Sequence, residues 1–326
     1  MISADLRRLL RARGLRAFGD GFVSLLLPIY LITLGLTPFQ VGAIATGTLL
    51  GSGLLTLLVG MHAWRLRFRT LLLMASMLMA ATGVAFASFT QFWPLFVIAV
   101  VGTLNPSSGD VSVFLPLEQA VLARLAADRE RTAVFARYSL VGALVGALGA
   151  LFAGSSEWLT GATQLSAKAA MQALFLLYGL LGLASALIYR KLPAGLEAES
   201  GTRPAPLHQS KRIVYTLTAL FSLDAFCGGF IVQSMLALWL FQKFDLSIAV
   251  AGTIFFWTGV FSALSYLVAV RIAHRIGLVN TMVSPICLRA CCCSSFRSCL
   301  TSRGSSCCCW RAARCRKWTC RRAAPT

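Results

Sequence analysis

Asp20, Asp110, Glu118 and Asp224 stand inside stretches of the 326-residue chain that are otherwise almost free of charge. An ionisable group in such a stretch is costly, so it faces a cavity or a partner. A carboxylate there has one chemistry open to it beyond pairing. Burial favours its protonated form, so it can load and release a proton as a cavity opens to one side and then the other. By depth, Asp110 and Asp224 are the candidates for substrate contact or proton coupling. Asn105 and Gln233 are neutral groups able to hydrogen-bond a polar solute. Asp20, Glu118 and Arg137 lie nearer the ends of their stretches and read as gating or structural charges. Arg65, Arg69 and Arg275 sit in short basic segments and read as charges that hold those segments at an interface and against helix C-termini. The plain alternatives are a structural ion pair for each carboxylate and packing glue for the amides. No interfacial cluster of His, Asp or Glu points to catalysis. His62, His208 and His274 are scattered, so no catalytic residue, metal site or cofactor is expected.

The elements that must position these groups follow from composition. The chain is 57% hydrophobic and 13% charged, with mean hydropathy +0.75. A soluble domain carries about 25% charged residues, and uncharged runs of ~20 residues span a bilayer. This predicts an all-α polytopic membrane protein. The net charge of +19 would suit nucleic acid, but its distribution does not. Nine Arg and Lys lie in residues 287–326, and the other basic residues fall mostly in short loops. No nucleic-acid partner and no specific protein partner is expected.

Spans are predicted at about 17–36, 41–61, 70–89, 93–122, 134–154 and 169–189, then 213–240 and 248–270. The fourth is interrupted at Asn105-Pro106. Gly47 and Gly51 in the second, and Gly142, Gly146 and Gly149 in the fifth, are small residues spaced to let helices approach closely. Residues 1–189 therefore read as a six-helix bundle, 190–212 as a polar cytoplasmic linker, and 213–283 as a partial second bundle. With the N-terminus in the cytoplasm, 19 of the 21 basic residues before the tail fall on the inner side. The expected location is thus the inner membrane, with many passes.

The chain also repeats itself. Ala17-Phe18-Gly19-Asp20-Gly21-Phe22-Val23 matches Ala225-Phe226-Cys227-Gly228-Gly229-Phe230-Ile231. Leu36-Thr37 before Val41-Gly42 matches Leu246-Ser247 before Ala251-Gly252. Two apolar halves in one orientation are the signature of a carrier built from parallel repeats.

Residues 284–326 depart from this pattern. Ten of the eleven cysteines lie between Cys287 and Cys320. The stretch has no CxxC pair and no His, so it does not read as a metal site. Written in GC-rich codons, Cys307-Cys308-Cys309-Trp310 yields mostly leucine one nucleotide earlier. The expectation is a frameshift near residue 284, with a chain that does not transport by itself.

Six spans, a polar linker and a second bundle begun in parallel resemble the major facilitator superfamily, over residues 1 to about 283. The family's loop motif Gly-x-x-x-Asp-Arg-x-Gly-Arg-Arg is matched at Gly60, Arg65 and Arg69. Trp64 replaces the acid and Arg67 the second glycine. The second-half copy keeps Arg275 and Gly277. The resemblance implies a major-facilitator-type helical bundle, here a six-helix N-terminal half plus two to three helices of the C-terminal half. It also implies secondary active transport of a small organic solute by alternating access, with protons as the coupling ion considered and the lipid bilayer as surroundings. The alternatives are a polytopic membrane enzyme and a non-transporting membrane protein of the same fold.

Overall fold

A computed structural model describes residues 4–62, 67–107, 112–126, 130–163, 166–193, 211–228 and 232–276. The chain divides into two units, Met1–Tyr266 and Leu267–Thr326. The first unit holds nearly all the described structure, and every element in it is a helix. In order these are α1 (Ala4–Thr33), α2 (Pro38–His62), α3 (Phe68–Ser88), α4 (Phe92–Val101), α5 (Phe114–Leu125), α6 (Arg131–Phe152), α7 (Ser155–Thr163), α8 (Ala167–Tyr189), α9 (Lys211–Gly228), α10 (Gln233–Phe244) and α11 (Ile248–Ile276). The described part of the second unit is the end of α11. Among the described residues, six helices are long and apolar enough to cross a membrane.

The sequence reading places the first span at 17–36 with residues 1–16 as a flanking basic segment. The helix instead begins at Ala4 and carries Arg13 and Arg16 into the protein interior. The reason is periodicity. Leu6, Leu9, Arg13, Arg16, Asp20, Ser24 and Leu27 are buried and recur at three- and four-residue spacing. That is one face of a single helix. α1 is the axis of the bundle, packed against α6, α8 and α10.

α8 shows how such a helix is sorted between protein and lipid. Leu176, Leu180, Leu183 and Leu187 are exposed along one stripe, while Tyr178, Gly182, Ser185 and Tyr189 are buried on the opposite one. Lipid is as apolar as leucine, so small and polar residues go to the protein side, where they pack and hydrogen-bond. Close helix contacts use the predicted glycines. A Cβ on Gly47 would stand 3.0 Å from the Phe96 ring of α4, and the carbonyl of Val100 occupies the place where a Cβ on Gly51 would go. Gly83 of α3 meets the backbone of Gly179 in α8, where a Cβ would lie 2.5 Å from the amide nitrogen. Tyr30, Phe86 and Phe175 close the same interface, with the Tyr30 hydroxyl donating to the Phe86 carbonyl at 2.9 Å.

The expected loop Thr37-Pro38-Phe39-Gln40 is the start of α2. α1 ends in a Schellman motif: Gly35 adopts φ 83°, its N–H donates to Ile32 O, and Leu36 N–H donates to Leu31 O. Thr37 then caps α2. Its N–H donates to Gln40 Oε1 at 2.9 Å, and the Gln40 N–H donates to Thr37 Oγ1 at 3.4 Å, a reciprocal capping box with Pro38 at the first helical position. Thr37→Ala is expected to cost about 1 kcal/mol. The check is the unfolding temperature of the purified variant; an unchanged value would remove the cap from the stability account.

The matching stretch of the second half behaves the same way. Asp245 adopts a left-handed φ of 50° after α10, and Ser247 caps α11 through Val250 N–H. Glu157 of α7 adds its carboxylate to that cap, accepting from Ile248 N at 2.6 Å and Ala249 N at 3.4 Å. An anion at a helix N-terminus is stabilised by the unsatisfied N–H groups and the helix dipole. Glu157→Ala should therefore lower stability by about 1 kcal/mol. Salt should weaken the loss, which unfolding at two ionic strengths measures.

Two expected spans are broken helices. The fourth is α4 and α5 with a non-helical segment holding Asn105-Pro106 between them. Proline lacks the N–H that a helix interior needs and clashes with the preceding turn. The seventh is described as α9 and α10, with extended backbone at Val232 before the second, and the eighth runs on to Ile276 through the segment expected as a basic loop. The two breaks meet, because Ser234 N–H at the start of α10 donates to Pro106 O at 3.1 Å. Asp110, Arg65 and the tail 284–326 lie outside the described residues. Of Asp224 in α9 and Arg275 in α11, only the backbone is described.

Candidate functional site

Glu118 is fully buried on α5, and the structure surrounds it with donors from three other helices. Arg16 of α1 pairs with its Oε2 through Nη2. The Tyr138 hydroxyl of α6 donates to the same oxygen at 2.5 Å, and the Tyr189 hydroxyl of α8 donates to Oε1 at 2.5 Å. Arg16 Nε donates to Tyr189 Oη at 3.1 Å, and its guanidinium lies 4.0 Å over the Phe114 ring. A buried ion pair is tolerated when the remaining lone pairs and protons are also satisfied. Here they are, so this group ties α1, α5, α6 and α8 together at one point.

One turn along α1, Asp20 is buried with the Tyr178 hydroxyl beside it and the charges of Arg16 and Arg13 acting on it. Tyr178 donates in turn to Thr103 O at 3.1 Å. This carries the polar chain from α1 into the broken segment between α4 and α5. Asn105, fully buried there, accepts Ser107 N–H on Oδ1 at 3.0 Å.

Beside this network lies a cavity of about 300 Å³. Its walls come from α1, α5, α6, α10 and α11 together with Ser107 from the broken segment, all within the first unit. Gln233 stands on the wall with its Nε2 donating to Ser24 Oγ at 3.2 Å, and Gln119, Ser139, Thr258 and Ser262 add neutral hydrogen-bonding groups. Arg13 is the charged group among the described lining residues.

The expected residues therefore separate. Gln233 reaches the cavity. Asn105 does not line it and serves the backbone of the break. Glu118 and Asp20 belong to the buried network. Arg137 is exposed near the start of α6. Arg69 Nη2 donates at 2.6 Å to the carbonyl of Arg190, the cap of α8. Arg13, Arg16, Tyr138, Tyr178 and Tyr189 are site residues that sequence reading missed. The available signal was the spacing of Arg13, Arg16 and Asp20, which continues the buried stripe of α1. Among the described residues no cluster of His, Cys, Asp and Glu could hold a metal ion.

The described residues form a multi-pass helical bundle with broken spans beside a polar cavity. The chain belongs to the Major Facilitator Superfamily, whose family profile matches residues 11–300. That match runs past residue 283, where the sequence resemblance was expected to end. The fold is similar to a bacterial homolog of the human lysosomal transporter Spinster, solved in an inward-facing and unoccupied conformation, with TM-score 0.57 and 17% identity. The similarity covers 86% of this chain and 63% of that structure, so the chain spans less than two thirds of its length. An uncharacterized membrane protein of Saccharomyces cerevisiae is 24% identical over 312 residues, covering 85% of this chain and 70% of that protein.

Proposed function

We propose that the chain is part of a secondary active transporter that moves a small organic solute across the inner membrane by alternating access. The observation that carries this is the cavity between first-half helices α1, α5 and α6 and second-half helices α10 and α11. A solute held between two bundles is released to either side as one bundle rocks against the other. The N-terminus is placed in the cytoplasm by the basic residues of the short loops. Asp110 and Asp224, by sequence position, are the carboxylates for proton coupling, and Asp20 in the buried network is a gating or structural charge. Gln233 is the neutral group for solute contact. The tail from residue 284 is the product of a shifted reading frame in this reading.

Two measurements test it. Resequencing codons 275–326 and onward decides the frame, and an intact frame with no helices encoded downstream in the neighbouring one removes that part. Counterflow decides transport: proteoliposomes preloaded with an unlabelled solute should accumulate the same solute labelled. A frame-verified product that accumulates none of a panel of carboxylates, sugars and amines overturns the transport reading and favours a non-transporting member of the fold.

A further inference from the structure

Arg13 is only 8% exposed, yet its Nε and Nη1 have no hydrogen-bond partner. Leaving a buried cation without a partner is strongly unfavourable. Three residues along the same helix, Arg16 shows that this fold can satisfy a buried guanidinium: it has Glu118, the Tyr189 hydroxyl and the Phe114 ring. Arg13 has none of these. Glu118 is engaged by Arg16 and two tyrosines, and Asp20 makes no ion pair with Arg13. The guanidinium lines the cavity, where no carboxylate stands among the described lining residues.

The surroundings hold Arg13 in place. Its Cζ lies 5.1 Å from the centroid of the Tyr138 ring. On the α6 side it rests against Gly142, where a Cβ would fall 2.7 Å from Nε and 2.7 Å from Nη2. A glycine at that point leaves room for the fork to lie against the helix. We infer that the cavity binds a small organic anion and that Arg13 is the group that pairs with it. The inference rests on the cavity being the solute site. A planar fork of N–H donors matches the oxygens of a carboxylate, phosphate or sulfonate two at a time. The neutral groups of Gln119, Ser139, Gln233 and Thr258 orient the rest of the molecule. A volume near 300 Å³ is at the small end for ligand pockets, which suits a small anion.

The test titrates the purified full chain in neutral detergent by calorimetry. The probes are succinate against neutral succinamide, glycerol phosphate against glycerol, and methanesulfonate. The carboxylate, phosphate and sulfonate arms separate the sources of the shared oxyanion. At least one anion is expected to bind about tenfold or more tightly than its neutral counterpart. Arg13→Gln is expected to abolish that preference, and Arg13→Lys to keep only part of it because it lacks the fork. Gly142→Ala is expected to weaken the anion by displacing the guanidinium. Absence of any anion preference in the natural chain overturns the inference, as does equal anion binding by Arg13→Gln. If Arg13→Gln does not fold, Arg13→Lys and Gly142→Ala carry the test, and unchanged affinity in both overturns it. Counterflow separates the two readings. Arg13-dependent anion binding without counterflow of any solute by the frame-verified product overturns transport alone. Counterflow of a neutral or cationic solute that Arg13→Gln leaves unchanged overturns the anion site alone.

Discussion

Glu118→Ala is expected to destabilise the bundle by about 3–5 kcal/mol, because it strands the Arg16 guanidinium in the interior without its counter-charge. It also removes the acceptor of the Tyr138 and Tyr189 hydroxyls, so four helices lose their common point. The loss should appear as a lower unfolding temperature and a poorly dispersed elution peak in detergent. The double variant Arg16→Met, Glu118→Leu should recover most of it. A buried pair replaced by apolar groups of similar volume is often neutral, whereas removing one partner leaves the full desolvation cost of the other. A single variant that unfolds with the natural chain would show that Glu118 carries no structural role. A double variant as unstable as the single one would show that the tyrosine hydrogen bonds, rather than the stranded charge, dominate.

The second large effect is at the α1–α6 contact. A Cβ on Gly21 would stand 2.1 Å from the carbonyl oxygen of Gly146 and 3.0 Å from Ala150 N. Both obstacles are backbone, so they cannot rotate away. Gly21→Ala should force the helices apart at a cost of about 1–3 kcal/mol, in spite of the higher helix propensity of alanine. Gly53 provides the control, since it is exposed on α2 and a Cβ there meets nothing within 4 Å. Gly53→Ala should be neutral or stabilising by up to about 1 kcal/mol. The propensity gain is common to both changes, so the difference in unfolding temperature isolates helix packing. Equal values for the two variants would show that the α1–α6 approach is not tight enough to matter.

Much of the architecture is local and was legible without coordinates. Runs of about twenty apolar residues become spans because each satisfies its own backbone in lipid. Asn105-Pro106 announces a break, since proline removes a donor wherever it falls. Gly142, Gly146 and Gly149 mark a face of α6 suited to close packing, and Gly47 and Gly51 do so for α2. Other features were misread because the same residues have two local readings. Thr37 and Gln40 look like a polar loop until their side chains are seen to satisfy the first turn of α2. Arg13 and Arg16 look like topology-setting charges in a flanking segment, because a cation at the edge of an apolar run is cheap when it stays in water.

The amino-acid sequence by itself determined that this is a multi-pass helical membrane protein, that its fourth span breaks at Asn105-Pro106, and some of the small residues that make close contact. Each of these depends on neighbours a few residues apart. Only the tertiary structure decided which charges are paired and which one faces the cavity. Arg16 meets Glu118 from 102 residues away and Tyr189 from 173 residues away, while Arg13, one turn earlier, meets neither. Desolvation and pairing are properties of the packed interior, and no spacing along the chain states which distant helix will supply the partner.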